Sequence, residues 1–283
     1  MTHASDPYGF CETVVRDGDR DAWLASLFAP ASARPSLHAL DAFRIEIGHV
    51  RGRVSQPLAG EIRLQWWRDA ILGKARGEAS ANPLAAALID TIRRHDLPRD
   101  LFDVAIDAHR GELHEPAPGS VAGLEARLDA MTGTFIRLAS IVLASPAGDV
   151  PAAAGHAGIA LGLCRTLQGF AEDAPRGWSA VPVEVLDRHG VGQGDVAAGV
   201  PTSAIKAALA DMRALARRHL GEFSEARRTI PKAAAPAYLR LASIEPDLRR
   251  LDRQQDRDPF APPHPLPQWR RQWILWRAAG AGG

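Results

Sequence analysis

Apolar residues recur at intervals of three and four along almost the whole chain, and no stretch shows the strict alternation of a half-buried strand. The pattern predicts an all-α fold. Asp6-Pro7 supplies the N-cap and first turn of an opening helix that Gly18 closes, and Asp19 caps a second with Trp23, Leu24, Leu27 and Phe28 on its apolar side. Leu37, Leu40, Phe43, Ile47, Val50 and Val54 predict a third helix running well past five turns. Its polar side includes Arg44, Gly48, Arg51 and Gly52. Two glycines there cost ~1 kcal/mol each against alanine, so they let something approach closely or mark a function that has been lost.

Pro57 begins a fourth helix with Leu58, Ile62, Trp66 and Ala70 on one side and Arg63, Trp67 and Arg68 near it. Asn82-Pro83 opens the next, through Leu84, Leu88 and Ile92, and Pro98 starts another that ends at Pro116. Leu124, Leu128, Met131, Phe135, Leu138 and Val142 predict a long apolar helix at the centre of the core. Ile159, Leu163, Thr166, Leu167 and Phe170 then lead to Glu172 and Asp173, just before a Pro175-Arg176-Gly177 turn. Acids in a last turn oppose the helix dipole, which a bound cation would offset, and Gly169 stands one turn before Asp173.

The Gly190–Gly194 connection follows no strand and reads as an interhelical turn, not a dinucleotide loop. Pro201 introduces a helix through Leu220, and Pro231 and Pro236 introduce one through Leu251. In the tail, Leu266, Trp269, Trp273 and Trp276 form a stripe with Arg270, Arg271 and Arg277 on other faces. Such a helix suits a membrane surface or the flank of the protein, and tryptophans at helical spacing favour the packed alternative.

Composition narrows the function. The formal net charge is +1 over 283 residues and the arginine pairs are dispersed, which argues against a nucleic-acid partner. Cys11 and Cys164 lie far apart, suggesting neither a disulfide framework nor a zinc site and fitting a reducing compartment. No run approaches the roughly 18 apolar residues of a membrane span, and the N-terminus lacks a signal core. These features predict a cytoplasmic protein with at most peripheral membrane contact. With no repeat or linker, one domain is expected over residues 1–283, with 256–283 a Pro/Trp-rich closing extension. His109 and His114 flank Glu112 at a spacing that matches no familiar metal triad, and no GxSxG, P-loop or HExxH occurs.

Four segments, LHALDAFRIEIGHVRGRVS (37–55), IRLQWWRD (62–69), VAIDAHRGEL (104–113) and GLCRTLQGFAEDAPRGWSAVPVEVLDRHGV (162–191), resemble the squalene/phytoene synthase superfamily. The resemblance implies a single-domain isoprenoid synthase-like helical fold around a central cavity. Its enzymes join two allylic diphosphates head to head, with Mg²⁺ held by two DxxxD motifs neutralising the leaving pyrophosphate. The first motif corresponds to Gly48, His49 and Gly52 here. In the second, the first aspartate corresponds to Gly169 and only Asp173 remains, beside Glu172. A glutamine and an asparagine earlier on that helix correspond to Gly162 and Arg165.

Arg165 is therefore expected either to meet an anion directly or to neutralise Asp173 and Glu172. Arg63 and the Trp67-Arg68 pair keep a family pattern; Asp107 and Glu112 keep a weaker acidic pair; Asp173, Arg176, Gly177 and Pro182 keep the turn. Arg63 and Arg68 are expected to pair with acids such as Glu61 or those around Asp69. The altered motifs, together with AFRIEIGHVRGRVS, IPKAAAPAYLRL and the Pro-Leu-Pro tail, resemble a non-catalytic branch that includes a mitochondrial respiratory complex I assembly factor. The resemblance implies a bacterial factor in assembly of NADH:quinone oxidoreductase, with protein partners and no cofactor. Alternatives are a Mg²⁺-dependent prenyltransferase of the squalene/phytoene type and a protein holding a prenyl diphosphate or lipid in the old cavity.

Overall fold

The computed structural model describes residues 6–54, 56–75, 78–115, 117–144, 151–179, 181–264 and 266–281, and among these there is no strand. Local capping sets the first elements. Asp6 accepts a hydrogen bond from the Tyr8 amide at 3.1 Å and opens α1 (Pro7–Gly18); Asp19 accepts from Ala22 at 3.0 Å and opens α2 (Arg20–Ser26). The long third helix expected from periodicity is two pieces, α3 (Arg34–Gly48) and α4 (Val50–Arg53), broken at His49. Gly48 and Gly52 are weak helix formers on either side of that break.

Next come α5 (Pro57–Ile71), α6 (Glu78–Ala81), α7 (Pro83–Arg94), capped by Asn82, and α8 (Arg99–Glu112). The buried face of α5 is not the predicted one. Gly60, Leu64, Trp67, Ala70 and Ile71 point inward, while Leu58 and Ile62 are largely exposed. Two apolar stripes compete on this helix, and the one containing Trp67 wins because its indole meets the buried Phe43 ring at 5.1 Å. Phe43 also packs on Phe102 and Phe135, which makes it the hub of a first core formed by α1, α3, α5, α7, α8 and α10 (Thr134–Leu143).

The central run is α9 (Val121–Leu128), a π-helical turn at Asp129–Gly133 and then α10. Against that turn lies α11 (Pro151–Asp173). A Cβ placed on Gly158 of α11 would fall 2.3 Å from the backbone N and Cα of Gly133, so the two backbones touch where any side chain would clash. A short 3₁₀ turn, Ala174–Arg176, follows α11 and stops at Gly177, whose φ of 78° suits glycine.

After α12 (Val183–Arg188) and α13 (Gln193–Ala197), α14 (Ser203–Ala226) and α16 (Ile244–Gln255) pack on α11 around Leu163, Leu209 and Leu248 in a second core. The single helix expected after Pro231 is divided into a 3₁₀ turn, α15 (Ala235–Tyr238), a second 3₁₀ turn at Leu239–Ser243, and α16.

The last helix, α17 (Gln268–Ala281), closes on α2 through Leu275, which is 1% exposed beside Leu24, Ala25 and Leu239. Its tryptophans take the opposite role to the one expected: Trp269, Trp273 and Trp276 are 70%, 50% and 67% exposed. A flat face of Leu275, Ala278 and Ala279 makes the close contact instead.

Candidate functional site

The site is built on α11, about two helical turns beyond Gly158. There Arg165 reaches the carboxylate of Asp19, the residue that caps α2. The same carboxylate oxygen receives Arg44 from α3 at 2.6 Å and Arg240 from the second 3₁₀ turn at 3.1 Å, while the other oxygen holds the Ala22 amide. Asp41 adds a second carboxylate, 2.9 Å from Arg44 and 3.7 Å from Arg240. Burial works to raise the Asp19 pKa, but Arg165, Arg44 and Arg240 outweigh it and hold the carboxyl far below the usual range. Burial also draws Arg165 down to about 10, so it remains a cation at neutral pH.

Beside this knot, Arg271 of α17 pairs with Asp21 and approaches both oxygens of Asp247, at 3.1 and 3.2 Å. Burial raises the pKa of both carboxyls. The two groups line a cleft of about 690 Å³ together with Leu161, Cys164 and Gln168 of α11 and with Gly48, His49 and Leu266. Burial pushes the Cys164 thiol up to about 12, which makes it a poor nucleophile.

A second knot lies on the other side of Gly48. Arg51 of α4 donates to Glu112 of α8 at 2.8 Å and to Asp173 at the end of α11 at 3.0 Å, and its guanidinium stacks over Trp178 at 4.4 Å. Burial works against the Glu112 charge, but His109 and then Arg51 outweigh it and its pKa is lowered. A Cβ on Gly48 would meet only His109, at 3.8 Å, and one on Gly169 only the Asp173 carboxylate, at 3.3 Å. One on Gly52 would meet nothing within 4 Å among the described residues. Gly162 differs, since its Cβ would lie 2.8 Å from Leu128; this glycine is there for packing.

The predicted site residues thus separate. Arg51 draws Glu112 and Asp173 together. Arg165 does not neutralise Asp173 and Glu172, one of the two roles expected for it from sequence; it pairs with Asp19, because its turn of α11 faces α2. Arg63 pairs with Glu46 at 2.6 Å, and Arg53 takes the other oxygen of that carboxylate. Arg68 bridges Asp103 and Asp107 of α8, at 3.0 and 2.6 Å. The partners expected for these arginines are engaged elsewhere: Glu61 meets His114 at 2.6 Å, and Asp69 accepts from Gln65. Arg176 and Glu172 form an exposed pair at 3.2 Å. Asp19, Arg44, Arg240, Arg271 and the bridging role of Arg51 escape sequence reasoning, since each is a pairing between distant helices.

With this geometry in view, a sequence model described as squalene/phytoene synthase matches residues 15–277. The chain is similar to NADH dehydrogenase (ubiquinone) complex I, assembly factor 6, of Mus musculus, at 28% identity over 253 residues covering 89% of this chain and 76% of that protein. Among solved structures, the squalene synthase HpnC of Alicyclobacillus acidocaldarius superposes with a TM-score of 0.74 at 20% identity, covering 88% of this chain and 94% of that one. A dehydrosqualene synthase crystallised with a ligand gives 0.80 at 18% identity, covering 97% and 96%.

Proposed function

The chain belongs to the squalene/phytoene synthase family, and from that premise we propose that it is a non-catalytic member acting in the assembly of respiratory complex I. The observation that carries the non-catalytic half is the Arg51 bridge. A Mg²⁺ cluster needs several free carboxylate oxygens on facing helices. Around Gly48, Gly52 and Gly169, Glu112 and Asp173 already share one guanidinium, Glu46 is held by Arg53 and Arg63, and Glu172 is paired with Arg176. The donor set does not fit the metal cluster of the synthases, and no ionisation step is assigned to it. The assembly half rests on likeness to the mouse assembly factor over nine-tenths of the chain.

The exposed tail supports a place of action. No described helix is long and apolar enough to cross a membrane. Trp269, Trp273 and Trp276 instead join Leu27 and Phe28 around a shallow groove of about 450 Å³, with Arg270 and Arg277 exposed on the same helix. Interfacial tryptophan with flanking arginine suits the headgroup layer of an anionic membrane. The reading is a cytoplasmic protein peripheral at the inner membrane where the complex is built.

The test has two arms. Purified protein incubated with farnesyl or geranylgeranyl diphosphate and Mg²⁺ is expected to release no pyrophosphate; turnover that disappears in Asp173→Ala would overturn the non-catalytic reading. Deleting the gene is expected to lower the amount of assembled NADH:quinone oxidoreductase in membranes on native gels. Unchanged assembly would sink the other half. A second reading, retention of a prenyl diphosphate or other anionic lipid, is favoured by five arginines (Arg20, Arg44, Arg165, Arg240, Arg271) against three aspartates (Asp19, Asp21, Asp247) on the cleft lining. Binding of a farnesyl diphosphate analogue that weakens in Arg165→Ala would support it.

A further inference from the structure

Away from the cleft, α11 and α14 bring three metal-ligand side chains to one point. The Nδ1 atoms of His156 and His219 lie 3.0 Å apart. Glu222 Oε2 is 2.9 Å from the first and 3.4 Å from the second. His219 and Glu222 share a face of α14 because they are three residues apart. We propose that His156, His219 and Glu222 form a binding site for a divalent transition metal, with Zn²⁺ the ion that fits its donors.

Three features carry this. First, the spacing is that of ligands around a common ion: a tetrahedral Zn²⁺ with bonds of about 2.0–2.1 Å separates its ligand atoms by about 3.3 Å. The three edges here, 2.9, 3.0 and 3.4 Å, reach that with shifts of a few tenths of an ångström. Second, the deeper histidine is already oriented. His219 is 4% exposed, and its Nε2 lies 2.9 Å from Glu125 Oε1 on α9, a carboxylate to which it donates. That bond fixes the tautomer in which the Nδ1 lone pair faces His156, the carboxylate–histidine arrangement that supports metal-bound imidazoles.

Third, the charge is favourable. Glu125 and Glu222 carry two negative charges and Arg218, which contacts both, carries one positive. Arg218 approaches Oε1 of Glu222 and leaves Oε2 to the site. Two imidazoles and one carboxylate select a borderline metal over Mg²⁺ or Ca²⁺, which take all-oxygen sets.

His156 and Glu222 are partly exposed, at 33% and 40%, so an ion has a way in and a fourth position stays open to water. Binding displaces the proton that His156 Nδ1 otherwise shares with Glu222 and His219. The site lies nine residues from Arg165, about 13 Å along α11. It would clasp α11 to α14 without entering the cleft.

The full chain, untagged and stripped with chelator, is to be titrated with Zn²⁺ near neutral pH by calorimetry. One Zn²⁺ per chain is expected, with loss of that binding in His156→Ala and in Glu222→Gln. Glu125→Gln, which removes the carboxylate that positions His219 and with it the Arg218–Glu125 ion pair, but none of the three ligands, is expected to weaken affinity about 10–100-fold. Co²⁺ in place of Zn²⁺ should give the strong visible bands of tetrahedral coordination, absent in His156→Ala. Circular dichroism establishes that each variant is folded, and His156 is exposed enough that its replacement leaves the helix packing intact. Failure of the wild type to take up stoichiometric Zn²⁺ would overturn the site, as would folded His156→Ala and Glu222→Gln variants that bind like the wild type. Equal competition by Mg²⁺ would overturn the donor assignment.

Discussion

Arg51 and Asp173 stand 122 positions apart in the chain, and their guanidinium and carboxylate meet at 3.0 Å. Arg51 lies between Gly48 and Gly52, the segment in which the resemblance to synthases places metal-holding carboxylates. A cation built into the chain thus neutralises the acid at the end of α11. Protein-borne and metal-borne neutralisation compete for the same oxygens, and the fold carries the former.

Replacing Arg51 by alanine leaves Asp173 without its guanidinium and Glu112 with His109 and the charge of Arg127. Because the arginine is about a quarter exposed and Asp173 a third, solvent screens part of the loss. Chemical denaturation is expected to show a destabilisation of about 1–2 kcal/mol. Mg²⁺ should stabilise Arg51→Ala more than it stabilises the wild type, since two carboxylates are released.

Asp19→Asn removes the anion that three guanidiniums share. Breaking a buried pair and leaving its partners uncompensated costs about 3–5 kcal/mol. The dependence on pH has a definite sign. The Asp19 pKa is lowered in the fold, so its stabilisation is fully present above the ordinary aspartate value of about 4 and fades as pH falls below it. The stability gap between variant and wild type should therefore be constant near neutrality and narrow below about pH 4.

The two faces of α17 separate by mutation. Trp269→Ala with Trp276→Ala should leave the melting temperature nearly unchanged, because both rings are mostly exposed, and should lower cosedimentation with anionic vesicles. Leu275→Ala should do the reverse, costing about 2–5 kcal/mol of stability.

What the sequence discloses is local. Caps at Asp6, Asp19 and Asn82 start helices where expected because a cap is satisfied within three residues. Arg165 is marked as unusual from sequence, yet its partner lies 146 positions away, and nothing in the periodicity of α2 distinguishes a capping aspartate that also receives three arginines. On α5 the choice between Ile62 and Trp67 as the inward residue is decided by Phe43 on another helix. His219 and Glu222 are visible as an i, i+3 pair, but His156 and Glu125 come from α11 and α9, and only the fold joins them.

Gly158→Ala tests the crossing of α11 with the π turn. The added methyl would overlap the Gly133 backbone, which has no flexible end to move aside. A loss of about 1–3 kcal/mol is expected in thermal or urea unfolding.

That crossing also fixes a scale. Pinned at Gly158, α11 behaves as a measuring rod: each residue beyond it advances about 1.5 Å and turns about 100°. Arg165 and Asp173 reach Asp19 and Arg51 because seven and fifteen such steps end at the right depth and heading. A single residue inserted between Gly158 and Arg165 would disengage both knots at once, although it altered none of their members.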